Sequence, residues 1–206
     1  NTQIRHVLLG FSYHNLSSYF DTYIDGRDAK YLFSDYFFIV PYQEKLVLLN
    51  RRKKLLPEVL PQVMRKYLPV WKDPGKLFLG GYKPQQQRLK DTSTIYKRIL
   101  VQFYSPEKKG SYSEMQFRYL QRIFALCKQH NVTLQLLQMP TNLYYEMHVP
   151  VNFKRVYDSL ILHYGVPHIL FDNFHLPDSL YMPDGDHLNH AGADSATLFL
   201  RKKLED

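Results

Sequence analysis

The sequence predicts an α/β fold built on a parallel sheet, and three observations carry that expectation. Short apolar, partly β-branched runs stand at residues 7–10 (VLLG), 132–138 (VTLQLLQ) and 168–171 (HILF), and runs of this kind read as buried strands of a parallel sheet. Between the second and third lies a segment of helical spacing, so strand, helix and strand follow one another, as crossover connections require. A chain of 206 residues with 45% hydrophobic content suffices for one domain with a sizeable core and is short for two. A single domain spanning 1–206 is therefore expected.

The chain opens on Asn1-Thr2-Gln3-Ile4, without a methionine, and enters the first strand within a few residues. A truncated or processed form is expected, with any targeting segment outside it. The middle, residues 20–110, departs from the alternating scheme. It holds a helix near residues 42–56, then a helix broken at Pro57 and Pro61, because proline removes a helical donor. Turn signals follow at Asp73-Pro74-Gly75 and Gly80-Gly81. This stretch reads as a largely helical insertion over the sheet edge, and its many aromatic residues form either a lid or substrate wall or ordinary packing.

The helix over residues 113–129 is the most clearly marked element. Phe117, Leu120, Phe124 and Cys127 recur at helical spacing, and Ser113 with Gln116 makes a capping-box pattern. Residues 152–164 repeat the logic with Phe153, Val156, Tyr157 and Leu160 on one face. In an open sheet of this type ligands bind beyond the carboxyl ends of the strands. Residues 10–15, 139–142 and 172–187 are expected to converge there.

Lys and Arg exceed Asp and Glu, giving a net charge of +8, which favours anionic partners without naming one. The run Arg51-Arg52-Lys53-Lys54 reads as a solvated helix face, and no nucleic-acid motif accompanies it; no nucleic-acid partner is expected. The lone Cys127 excludes an internal disulfide and reads as a small buried hydrophobe. No apolar run of about 18 residues is present, so any membrane proximity would come through a segment outside this chain.

The chemistry concentrates near the end, in Pro183-Asp184-Gly185-Asp186-His187-Leu188-Asn189-His190-Ala191-Gly192-Ala193. Asp184 precedes His187 by one helical turn, so its carboxylate can accept from Nδ1 and leave Nε2 free to move a proton. Asp186 is expected to point elsewhere. A plain structural reading stands beside this one: a turn rich in Asp, Gly and Asn, with Asn189 capping a helix through Gly192, Ala193, Ala196, Leu200 and Leu204. A third reading takes Asp184, Asp186, His187 and His190 as an oxygen and nitrogen cluster for a metal, but the pattern of a metalloprotease helix is missing, and neither metal nor cofactor is expected. His14, His148, His163, His168 and His175 have no partner at a diagnostic spacing.

The D-x-x-H-L-N block followed by a small-residue helix resembles the last sequence block of the SGNH (GDSL-like) esterase and acyltransferase superfamily, over roughly the last hundred residues. The resemblance implies a flavodoxin-like three-layer sandwich and makes Asp184 and His187 the charge partner and general base. It implies an ester of a small molecule or polysaccharide as substrate, with the periplasm or cell envelope of a bacterium as location. For the nucleophile two readings stand. Leu9-Gly10-Phe11-Ser12 ends the first strand with G-x-S, which makes Ser12 the nucleophile, with the amides after Gly10, joined by Asn15, as oxyanion donors. Alternatively, residues 78–82, 119–131 and 134–140 look like the later portion of envelope-associated SGNH-like proteins. In that reading residues 7–10 are the third strand of the fold, the nucleophile block lies upstream of Asn1, Ser12 is a structural or secondary residue, and Asn15 stands near the family's oxyanion asparagine. Met139-Pro140-Thr141-Asn142 resembles the family's strand-end loop, or is a simple turn. Two functions remain open on these residues: a serine esterase or O-acyltransferase acting on an acylated sugar or envelope polymer, and a non-catalytic glycan-binding or structural module on the same scaffold.

Overall fold

The computed structural model describes residues 4–21, 37, 42–51, 56–72, 86–88, 91–104, 111–169 and 176–205. The chain forms two compact units, one from Asn1–Phe20 with Pro84–Asp206 and the other from Asp21–Lys83. The first unit is α/β. Its sheet contains β1 (His6–Gly10), β2 (Thr133–Leu137) and β3 (His168–Ile169), all parallel and ordered β1-β2-β3. All three expected runs contain a strand; residues 170 and 171 lie outside the described residues. Central β2 buries Leu134, Leu136 and Leu137, while β1, which among the described residues pairs only with β2, leaves Leu8 exposed. The expectation of uniformly buried strands is corrected for β1, which the described residues cover less completely than β2.

The register places His6 opposite Thr133 and Gly10 opposite Leu137. Phe11 N–H then donates to Leu137 O at 2.9 Å, so β1 and β2 end level. This alignment sets the residues after Gly10 beside those after Leu137.

The second unit contains α1 (Tyr42–Arg51) and α2 (Leu56–Lys72). The helix expected near residues 42–56 is present over Tyr42–Arg51, residues 52–55 lying outside the described residues, and the expected break at Pro57 and Pro61 is absent: α2 runs through both. Pro57 stands in the first turn, where backbone N–H groups have no intrahelical acceptor. Pro61 does forgo a bond, and the helix is held instead by Val59, Val63 and Tyr67, buried at four-residue intervals on one face. The turn signals at residues 73–75 and 80–81, and Arg52, Lys53 and Lys54, lie outside the described residues.

In the first unit α3 (Ser93–Phe103) buries Ile95, Ile99, Gln102 and Phe103. Although residues 93–103 fall inside the stretch read as an insertion, α3 packs in the core beside the sheet's helices. The next helix, α4 (Glu114–Gln129), starts as expected: Ser113 Oγ accepts from Gln116 N–H at 2.9 Å. It packs on β2 and buries Leu120 and Cys127. A short α5 (Leu143–His148) precedes α6 (Val151–Tyr164), which buries Phe153, Tyr157 and Ile161 and ends at Gly165, φ 57°. Phe153 meets Phe103 edge-on at 4.9 Å, and Tyr157 donates to Phe11 O at 3.0 Å. The core thereby ties the exit of β1 to α6. The last helix, α7 (His190–Glu205), begins after Asn189, whose Oδ1 accepts from Gly192 N–H at 3.1 Å. No helix among the described residues is long and apolar enough to cross a membrane.

Candidate active site

Three segments gather beyond the carboxyl ends of β1 and β2. Met139 N–H donates to Ser12 Oγ at 3.2 Å, joining the exits of the two strands. Asn142 N–H donates to Gly185 O at 2.8 Å, which brings the loop before α7 onto the same rim. The described residues of the three expected segments therefore meet; 172–175 lie outside the described residues.

The loop itself is a tight structure. Met182 N–H donates to His187 O at 2.9 Å, and Gly185 N–H to Met182 O at 3.1 Å. Gly185 adopts φ +72°, and a Cβ there would stand 2.8 Å from Ile95 Cδ1. Glycine is thus required on two counts, backbone conformation and space.

His187 and Asp184 pair as the sequence predicts. Nδ1 lies 2.7 Å from Asp184 Oδ2, and Asp184 Oδ1 accepts from the His187 backbone N–H at 3.3 Å. The His187 side chain is 55% exposed, and Nε2 has no hydrogen-bond partner among the described residues. The expectation for Asp186 is corrected. Its Oδ1 also faces His187 Nδ1, at 3.1 Å, because the left-handed turn at Gly185 sends both neighbouring aspartates to one side. Asp186 Oδ2 accepts from Arg98 Nε at 3.0 Å and from Gln102 Nε2 at 2.8 Å. Gln102 is fixed in turn by Tyr145, whose hydroxyl donates to its Oε1 at 2.5 Å.

These contacts set the charges. The hydrogen bond from Nδ1 to Asp184, and then the Asp186 carboxylate facing the same atom, outweigh burial and push the His187 imidazole up to about 10. Burial would raise the Asp186 carboxyl, but His187 Nδ1 at 3.1 Å and the Arg98 and His187 charges hold it well below the usual carboxylate range. His14 is half-buried on the turn Tyr13–Leu16. Desolvation lowers it to about 4, with the Asp186 charge opposing and the Arg98 and His187 charges adding to the drop.

Ser12 follows β1 and is 3% exposed. Its hydroxyl accepts from Met139 and makes no hydrogen bond to His187 among the described residues; its proton remains available to donate. Both amides after Gly10 are engaged, Phe11 N–H by Leu137 O at 2.9 Å and Ser12 N–H by Asn15 Oδ1 at 2.8 Å. The side-chain amide of Asn15 is therefore turned with Oδ1 inward, and its Nδ2 has no partner among the described residues. Asn142 is buried and engaged on both ends, accepting from Tyr144 N–H at 2.9 Å and donating to Asp178 Oδ1 at 2.8 Å.

Asp184, Asp186 and His187 place ligand atoms within 4.8 Å of one another; His190, the fourth member of the metal reading, faces Asp194 at 3.8 Å. The sequence reading missed Arg98, Gln102, Asp186 and the approach of His14. One signal was present: Gln102 stands at a core position of an amphipathic helix, and an amide buried there needs partners. No family model matches the chain, and no curated protein and no solved structure matches it either.

Proposed function

We propose that this protein is an SGNH-like serine esterase or O-acyltransferase acting on an acylated sugar or cell-envelope polymer. The observation that carries the reading is the 2.7 Å contact of His187 Nδ1 with Asp184, at the sheet rim where Ser12 follows β1. In this reading Nε2 withdraws the Ser12 hydroxyl proton as Oγ attacks the ester carbonyl, and Asp184 holds the Nδ1–H tautomer. Asn15 Nδ2 is the donor left for the oxyanion, since the amides after Gly10 are spent. His187 then returns the proton to the leaving alcohol, and water or an acceptor alcohol releases the acyl group. The family's flavodoxin-like sandwich is supported by the parallel order β1-β2-β3 and by α4 on β2. An envelope location follows from the same resemblance.

The test is p-nitrophenyl acetate hydrolysis by wild type, His187→Ala and Ser12→Ala. Both variants are expected to lose at least about 100-fold in rate, the usual worth of a general base. Unchanged hydrolysis in His187→Ala overturns the reading. Because the imidazole holds its proton to about pH 10, the wild-type rate is expected to climb through alkaline pH, as the neutral base becomes available.

One observation favours a second reading. The Ser12 hydroxyl is bonded to Met139 and not to His187, the arrangement of a non-catalytic module that binds glycans through its tyrosines. Inactive wild-type protein that retains glycans on an array would select it.

A further inference from the structure

The two carboxylates at His187 Nδ1 are built differently. Asp184 is the closer, at 2.7 Å, but its side chain is 24% exposed. Asp186 is 1% exposed, and Arg98 and Gln102 of α3 fix its Oδ2. One ring N–H cannot serve two acceptors fully. With Asp184 taking it, Asp186 Oδ1 is buried with no hydrogen bond completed among the described residues, an arrangement that costs free energy. Turning Asp184 out to water restores that carboxylate's hydration and gives Nδ1–H to Asp186 Oδ1, 3.1 Å away.

We propose that Asp186 is a positioning residue, a fixed second carboxylate that takes the His187 Nδ1–H when Asp184 turns outward, with Arg98 and Gln102 as its clamp. The imidazole thereby keeps one tautomer and one orientation through both states. The inference rests on the reading of His187 as the base. Among the described residues the charged and titratable groups around His187 are Asp184 and Asp186 from its own loop, Arg98 from α3, which is paired to Asp186, and His14 from the turn after β1.

The test compares Asp184→Asn, Asp186→Asn and the double variant in p-nitrophenyl acetate hydrolysis, with the His187 ring titrated by NMR in each full-length protein. Asp184→Asn is expected to lose no more than about tenfold, since a charge-assisted bond replaces the one removed, and its His187 is expected to titrate above the ordinary value of about 6.5. The double variant is expected to fall to the His187→Ala level and to titrate near that ordinary value. Asp184→Asn at the His187→Ala level, with an ordinary titration, overturns the proposal. Should Asp186→Asn unfold, Arg98→Gln in the Asp184→Asn background replaces it: a further loss supports the clamp, and an unchanged rate and titration overturn it. If wild type shows no hydrolysis, the esterase reading fails, while the titration of Asp184→Asn still decides whether Asp186 holds the ring.

Discussion

At His187 and His14 two imidazoles in one neighbourhood are shifted in opposite directions, and the sign of each fixes a limb of the stability profile. His187 is raised to about 10 by Asp184 and Asp186. Between its unfolded value near 6.5 and pH 10 the folded state binds more protons, so this stabilisation is full below about pH 6.5 and is lost as pH rises through 10. His14 is lowered to about 4 by burial, against the pull of Asp186. Between pH 6.5 and 4 the unfolded chain binds the extra proton, so stability falls on acidification. Stability from these two groups is therefore greatest near pH 6.5. His14→Asn is expected to flatten the acid limb between pH 6.5 and 4, a change of about 3 kcal/mol at about 1.4 kcal/mol for each pH unit between those values, and to leave the alkaline limb unchanged. Urea midpoints of both proteins at pH 4.5, 6.5 and 9 check it; parallel acid limbs would show that His14 is already charged in the folded state.

Among the elements, α2 carries the clearest conflict between local propensity and packing. Pro61 lacks the N–H that would bond Pro57 O; the face of Val59, Val63 and Tyr67 holds the helix together. Pro61→Ala recovers that bond but gives the unfolded chain more freedom, so a net gain of about 1–2 kcal/mol is expected. Pro57→Ala, in the first turn, recovers none and is expected to be neutral or slightly destabilising. Thermal unfolding of the two variants checks the contrast, and equal effects would place the strain elsewhere. The same competition explains which elements were legible. The strands, α4 and α6 announce themselves through apolar runs, helical spacing and a Ser113 cap that forms as expected. The prolines of α2 point the wrong way, because burial overrides them. The site divides likewise: Asp184 and His187 are three apart and readable as one turn, whereas the partners of Asp186 stand 84 and 88 positions away on α3. No local pattern encodes a contact made by folding at that range, and the left-handed turn at Gly185 that aims Asp186 inward reads in sequence as an ordinary loop glycine.

For the whole molecule the question is what residues 21–83 contribute to the unit they interrupt. That unit's core runs through Phe11 and Leu16, Ile95 and Phe103, Leu120, Leu136, Phe153 and Tyr157, all drawn from Asn1–Phe20 and Pro84–Asp206. The hydrogen bonds of Asp184, Asp186 and His187 also lie within it. The second unit has its own buried face in α2. Closing a chain over an interruption costs free energy that grows only slowly with length, so replacing Asp21–Lys83 with a flexible Gly/Ser linker of about 15 residues is expected to leave the α/β unit folded. His187 is then expected to keep its raised titration, since its ring partners are all retained. Hydrogen exchange that shows β2 and α6 losing protection would overturn this, making the interruption part of the folding unit. The same variant separates the two readings of the aromatic middle. A changed preference between acetyl and longer p-nitrophenyl esters would assign its side chains to the substrate wall, and an unchanged preference would assign them to packing within residues 21–83.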